Sequence, residues 1–136
     1  MKDYVLDANA LVRYFRNLDG AAKVQELLIQ ADKQQAMLRV SVINLAEVLY
    51  VYARYSTPED ARNAIQRVKR LVEFVSSDAE QALAAAELRY RYKLGLADCF
   101  AAELAMRTGA TLVTADPEFA KLGRQLKVLA LPRHER

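Results

Sequence analysis

The chain has 136 residues, 53% of them hydrophobic and 27% charged, with three prolines, four glycines and a formal net charge of +3. That length closes one hydrophobic core, and the composition is that of a globular protein, so a second catalytic domain, long disorder, a collagen repeat and a disulfide scaffold are excluded. Cys99 has no internal partner, no apolar run approaches the ~18 residues of a membrane span, and residues 1–7 lack a signal peptide's apolar stretch; a soluble protein of a reducing, cytoplasmic compartment is expected.

Asp3-Tyr4-Val5-Leu6-Asp7 is a short β-prone run that stops at Asp7-Ala8-Asn9, after which Leu11, Val12, Tyr14 and Phe15 recur at helical spacing. Residues 21–34 place Val24, Leu27, Leu28 and Ala31 on one face of a second helix. A strand follows at 37–42. A helix then carries Leu45, Val48, Leu49 and Tyr52 on its stripe, with Glu47, Val51 and Arg54 facing away, and ends near Ser56-Thr57-Pro58. Pro58 starts the next helix, which runs to about Leu71. Residues 72–75 form a third strand, and Ala79, Ala82, Leu83, Ala86 and Tyr90 mark a helix that Gly95 ends. An alanine-rich helix from about Ala97 to Arg107 stops at Thr108-Gly109. Residues 111–114 form a fourth strand, Asp116-Pro117 opens a short helix, and residues 126–131 form a fifth strand. Short apolar strands separated by helices specify an α/β fold with a mostly parallel five-stranded sheet covered on both faces. Ligands in such sheets bind at the carboxyl ends of the strands, beside a topological switch point.

The lone histidine, His134, sits in a polar terminal stretch, which argues against a Ser-His-Asp triad, a Cys-His dyad or a histidine-rich zinc site. Gly20, Gly95, Gly109 and Gly123 never cluster, so neither the dinucleotide fingerprint nor the P-loop is present. Any chemistry falls to carboxylates, hydroxyls or metal. Two strands end at once in an aspartate, at Asp7 and Asp116, so both lie on one rim of the sheet. Glu47 starts near that rim, one turn into the helix after the second strand, and Asp98 stands just past Gly95 in the first turn of the alanine-rich helix.

Each acid also has a structural reading. Asp7, Asp98 and Asp116 are well placed as helix N-caps, Asp116 with proline at the first helical position, and Asn44-x-x-Glu47 resembles a capping box. Spacing alone leaves the choice open, and only the fold decides whether Asp98 joins the others. If they converge, like charges crowded in a cleft call for protonation or a cation, and oxygen-only ligands select Mg²⁺ or Mn²⁺. Such an ion acidifies a bound water and stabilises charge on phosphoryl oxygens, as phosphodiester hydrolysis requires. Excluding the four acids leaves the rest of the surface more basic still, which suits an anionic substrate. Arg13 and Arg16, at i and i+3 on the helix after Asp7, are candidates for phosphate contacts, against the plain alternative that they face water.

Four segments together resemble the PIN-domain family, and within it the VapC-type toxin ribonucleases: Val5-Leu6-Asp7-Ala8-Asn9-Ala10, Ser41-Val42-Ile43-Asn44-Leu45-Ala46-Glu47-Val48, Leu96-Ala97-Asp98-Cys99-Phe100-Ala101-Ala102 and Leu112-Val113-Thr114-Ala115-Asp116-Pro117-Glu118-Phe119. Any one is a weak signal; all four, in the family's order and spacing and spanning essentially the whole chain, are a strong one. The resemblance implies a single domain over residues 1–136 with a PIN-like (Rossmann-like) α/β/α sandwich. It implies that Asp7, Glu47, Asp98 and Asp116 bind Mg²⁺ or Mn²⁺, and that Asn9 and Thr114 support them. The activity it implies is endoribonuclease cleavage of RNA, with a small cognate antitoxin protein as partner, a homodimer as assembly and no membrane. Cys99 reads as a small buried hydrophobe, since no histidine is at hand to activate it. Tyr50, Tyr52 and Tyr55 read as core or interface packing rather than a base-stacking platform. Apolar side chains left exposed on the early helices would form a groove for an antitoxin helix.

The competing reading is a non-catalytic RNA-binding or assembly module whose acids only cap helices. A third, a phosphotransfer enzyme, is disfavoured because Asp7-Ala8-Asn9 lacks a second aspartate and no lysine ends the last strand.

Overall fold

Burial in the computed structural model, which describes residues 1–133, alternates along the strands as a doubly covered sheet requires. His134 lies outside the described residues. In β1 (Lys2–Leu6), Tyr4 and Leu6 enter one core and Val5 the other; in β4 (Thr111–Thr114), Val113 and Leu112 divide the same way. With β2 (Ala36–Ser41), β3 (Glu73–Val75) and β5 (Val128–Ala130) these form one sheet in the order β3-β2-β1-β4-β5. All four pairings are parallel. The order reverses between β1 and β4, which makes their carboxyl ends the switch point.

Helices α1 (Ala8–Phe15), α2 (Ala21–Asp32), α3 (Val42–Ala53) and α4 (Pro58–Val68) cover one face. Their apolar stripes close over Leu6, Leu38, Val40 and Val113. Val24, Leu27, Leu28 and Ala31 of α2 face this core as their spacing predicts. On α3, Val48 is buried and Leu45 packs beside it, Tyr52 packs on Phe15, and Val51, expected on the outer face, also joins the core. The other face belongs to α5 (Ala79–Tyr92) and α6 (Leu96–Thr108), with the 3-10 segment Pro117–Gln125 at its margin. This second core is built from small residues of α6, including Ala101, Ala102 and Ala105, and from Val5, Leu104, Leu112, Phe119 and Leu122.

Two helix ends show how the sequence terminates structure. Gly109 ends α6 in the left-handed conformation (φ 69°), as its position predicts. Gly95 does not end α5. That role falls to Lys93 (φ 58°), whose N–H donates to the Arg89 carbonyl, while Arg89 donates to the Leu94 carbonyl at 2.7 Å. Gly95 instead precedes the first turn of α6. Among the described residues no helix is long and apolar enough to cross a membrane.

Candidate active site

Asp7 leaves β1 at the switch point, its N–H donating to the Val113 carbonyl of β4. It is 2% exposed, and both carboxylate oxygens are engaged. Oδ1 accepts from the Ala10 N–H at 2.8 Å, capping α1; Oδ2 accepts from the Thr114 hydroxyl at 2.5 Å. The Thr114 oxygen in turn accepts from the Asp116 N–H at 2.9 Å, and Asp116 Oδ1 accepts from the Glu118 N–H at 2.9 Å. One continuous chain of hydrogen bonds thus runs from the start of α1 to the start of the 3-10 segment. Asp7 and Asp116 are caps, as the structural reading holds, and they are also joined across the crevice through a single hydroxyl.

The other two acids are brought in by Asn44, which the sequence reading assigned to a capping box. The N-cap of α3 is Ser41, whose hydroxyl oxygen accepts from the Ile43 N–H. Asn44 lies inside the helix, fully buried. Its Oδ1 accepts from the Ala8 N–H at 3.2 Å and its Nδ2 donates to the Ala97 carbonyl at 3.1 Å. One side chain therefore ties the first turns of α1, α3 and α6 together, and with them Asp7, Glu47 and Asp98. Asp98 is not a cap: it is the third residue of α6, whose N-cap is Gly95 with no side-chain bond. A Cβ at position 95 would stand 3.3 Å from Asp98 Oδ2, so glycine there leaves room for the carboxylate.

The electrostatics follow from this packing. Burial pushes the Asp7 carboxyl up from 3.8 to about 7; the bonds from Thr114 and Ala10 oppose the rise, and the charges of Asp98 and Asp116 add to it. Burial raises Asp98 to about 6, with further repulsion from Asp116, Glu47 and Glu118. Burial also raises Glu47. The acids feel one another, and what offsets them is the positive ends of α1, α3, α6 and the 3-10 segment, all of which start on this rim.

Among the described residues, no three acidic, histidine or cysteine side chains stand close enough to close around an ion as they are placed. The donor set is nonetheless that of a hard divalent cation: carboxylate oxygens, a hydroxyl and no nitrogen or sulfur. The neighbouring charge on Asp98 and Asp7 is of the sign such an ion relieves.

The remaining expectations divide. Asn9 is exposed and makes no side-chain hydrogen bond among the described residues. Arg13 does not fit the phosphate role: it is 4% exposed, its Nε donates to the Asp19 carbonyl at 2.8 Å, and its terminal nitrogen reaches the Pro132 carbonyl. Arg16 is exposed and stacks on the Tyr55 ring. Cys99 is buried, and its thiol is pushed up by burial and by Asp98, the opposite of a nucleophile's environment. Tyr52 packs on Phe15, whereas Tyr50 and Tyr55 stand in solvent, not in the core. Two roles are not read from the sequence: the bridging of Asn44, a polar residue four before the buried Val48 on the apolar stripe, and the charge of Glu118 on Asp98 from the first turn after Asp116.

A wholly parallel α/β sheet with an acidic crevice at its switch point defines the class of protein. Residues 4–125 match the sequence profile of the PIN domain, and the chain belongs to that family. Similar solved structures include VapBC2 from Rickettsia felis, bound to a DNA fragment from its promoter (22% identity, TM-score 0.75, covering 96% of this chain and 99% of that one). VapBC-1 from nontypeable Haemophilus influenzae is similar at 20% identity and TM-score 0.70, over 94% of this chain and 97% of that one. VapC20 of Mycobacterium tuberculosis, described as a Sarcin-Ricin loop cleaving toxin, is similar at 16% identity and TM-score 0.70, over 88% and 95%. No curated protein sequence is significantly similar to the chain.

Proposed function

We propose that this chain is a Mg²⁺- or Mn²⁺-dependent endoribonuclease and the toxin of a toxin–antitoxin pair. The observation that carries the reading is the linkage of Asp7 to Asp116 through Thr114 at the β1/β4 switch point, with Asp98 and Glu47 electrostatically coupled to it. Family membership supports a nuclease, and the Mycobacterium tuberculosis neighbour, described as a Sarcin-Ricin loop cleaving toxin, supports RNA as the substrate.

Asp7, Glu47, Asp98 and Asp116 would hold the ion, which supplies an acidified water and charge neutralisation at the phosphate. Thr114 fixes the rotamer of Asp7 and keeps one lone pair of Oδ2 engaged, leaving the rest of the carboxylate for the crevice. Asn44 holds the first turns of α1 and α6 at a fixed separation, and so sets the spacing of Asp7 and Asp98. The helix N-termini on the rim favour an anionic phosphate beside the carboxylates. Asn9, exposed two residues after Asp7, would act through water.

The same reading includes a cognate antitoxin and a homodimer. A groove of about 520 Å³ between α1, α2 and α4, lined by Phe15, Leu28 and Val68 together with Gln25, Asp32 and Arg67, fits an amphipathic antitoxin segment. Exposed Ile43, Leu83 and Tyr90 leave apolar surface for self-association.

The test is cleavage of a mixed RNA pool by the purified protein with Mg²⁺ or Mn²⁺, with EDTA, and with the Asp7→Asn variant. Defined fragments that need both the ion and Asp7 are expected. Intact RNA in every lane, from folded protein, would overturn the nuclease and leave the non-catalytic RNA-binding module.

A further inference from the structure

Outside the crevice, among the described residues, charge and aromatic rings are combined on the surface of α3 and the end of α1. Glu47, Tyr50 and Arg54 fall at i, i+3 and i+7 along α3, on one stripe of the helix. Tyr50 lies about 4.5 Å along the axis from Glu47 and Arg54 about 10 Å, so the stripe leads directly away from the acidic rim. The Arg54 guanidinium carbon lies 5.5 Å from the centre of the Tyr50 ring. Tyr55 follows Arg54 in the chain, and Arg16, at the end of α1, sets its guanidinium carbon 3.5 Å from the centre of the Tyr55 ring. Both rings are largely in solvent, Tyr50 at 64% and Tyr55 at 56% exposure. Neither Arg16 nor Arg54 pairs with a carboxylate among the described residues. Glu59 and Asp60, the nearest acids in sequence beyond Tyr55, sit in the first turn of α4 and leave both guanidiniums unpaired.

Exposed tyrosines are a poor choice for a face that meets only water, and surface arginines on helices usually find an acid partner when one is close. Here each guanidinium instead lies over a tyrosine ring, within cation–π distance. Planar rings that accept bases by stacking, alternating with guanidiniums that take phosphates, are the chemistry of single-stranded nucleic acid recognition. We infer that Tyr50, Arg54, Tyr55 and Arg16 form a track for a single-stranded RNA segment flanking the bond at the crevice. The inference rests on the ribonuclease reading and deepens it, assigning substrate affinity to a surface separate from the acids. The track reads strandedness rather than sequence, since any base offers a face to a ring.

The experiment uses a fluorescein-labelled 20-nucleotide single-stranded RNA of mixed sequence, its binding followed by anisotropy in EDTA across a range of salt, alongside metal-dependent cleavage by the wild-type protein. Tyr50→Ala and Tyr55→Ala should each weaken binding about tenfold, whereas Tyr50→Phe and Tyr55→Phe, which keep the ring, should bind as wild type. The Arg16→Gln/Arg54→Gln pair should flatten the slope of log affinity against log salt by about 1.4 units. Arg70→Gln, just before the edge strand β3 and paired with Asp32 rather than with a ring, removes a charge and should leave binding close to wild type. Circular dichroism confirms that each variant is folded. Unchanged affinity and salt slope in folded variants, with cleavage intact in the wild type, would overturn the track alone. A wild-type protein that neither binds nor cuts RNA would overturn the ribonuclease reading, and the track with it. Binding of polyglutamate in place of RNA, lost in the same variants, would replace the RNA with an acidic protein segment and equally overturn the proposal.

Discussion

Two carboxylates are buried among the described residues, and their surroundings are opposite. Glu103, in the middle of α6, meets a guanidinium one turn later: Arg107 donates from Nε to Oε2 at 2.9 Å and from a terminal nitrogen to Oε1 at 3.4 Å. Asp7, at the crevice, receives only a backbone N–H and a hydroxyl, and its charged neighbours are Asp98 and Asp116. The fold is therefore able to match a buried acid with a cation and does so where only the second core is at stake. At the switch point it leaves the charge uncompensated and lets burial lift the carboxyl to about 7. A group kept at that disadvantage is maintained for something other than stability.

Substituting Asp7 should break the comparison most sharply. An unfolded aspartate ionises near 3.8 and the folded Asp7 near 7, so between those values the folded state retains the extra proton. Stability attributable to this group is full below about pH 4 and declines as pH rises toward 7, by on the order of 4 kcal/mol. Asp7→Asn removes that charge, so urea unfolding at pH 8 in EDTA should show the variant more stable than wild type by about 2–4 kcal/mol, with a flatter pH profile between 4 and 7. A variant less stable than wild type at pH 8 would show that the carboxylate's hydrogen bonds outweigh its desolvation. Next in size is Thr114→Val, which removes the hydroxyl bonded to Asp7 and strands the Asp116 N–H. RNA cleavage should fall about 10–100-fold, and the activity profile should shift to higher pH because a bond that lowers the Asp7 pKa is gone. Equal cleavage by Thr114→Val and wild type would detach the hydroxyl from the chemistry. The smallest effect is expected at the paired acid: Glu103→Gln should lower stability by about 1 kcal/mol at pH 8, opposite in sign to Asp7→Asn, with cleavage unchanged. Thermal denaturation of both variants in one buffer reads the contrast directly.

The elements that periodicity marked are present: the α2 stripe, the strand at 111–114, the proline starts at Pro58 and Pro117 and the glycine stop at Gly109 each follow from a local rule. Strand-end logic also placed Asp7 and Asp116 on one rim, because a parallel sheet fixes where its carboxyl ends lie. It could not place Asp98, since α6 does not follow a strand and its start is positioned by Asn44 across 53 residues of sequence. Asn44 was misread for a physical reason. Near a helix start an asparagine favours the cap, and only its place on the apolar stripe, four residues before Val48, betrays a buried side chain in need of partners. Arg13 erred the other way: arginine on a short amphipathic helix reads as exposed, and its backbone acceptors, Asp19 and Pro132, come from a turn and from beyond β5. Lys93 in place of Gly95 at the end of α5 reflects the pull of Arg89 on the Leu94 carbonyl, which a propensity for glycine does not encode.

The hydrogen bond from Thr114 to Asp7 spans 107 residues of chain. A polypeptide emerging from the ribosome through α3 already holds Asp7 and Glu47, but Asp98 follows only with the start of α6 and Asp116 only after β4. No nascent fragment that stops short of β4 carries the whole crevice, and a cut that releases α6 removes Asp98 from it. The crevice is thereby completed only late in synthesis, after every α-helix that flanks the sheet has been made.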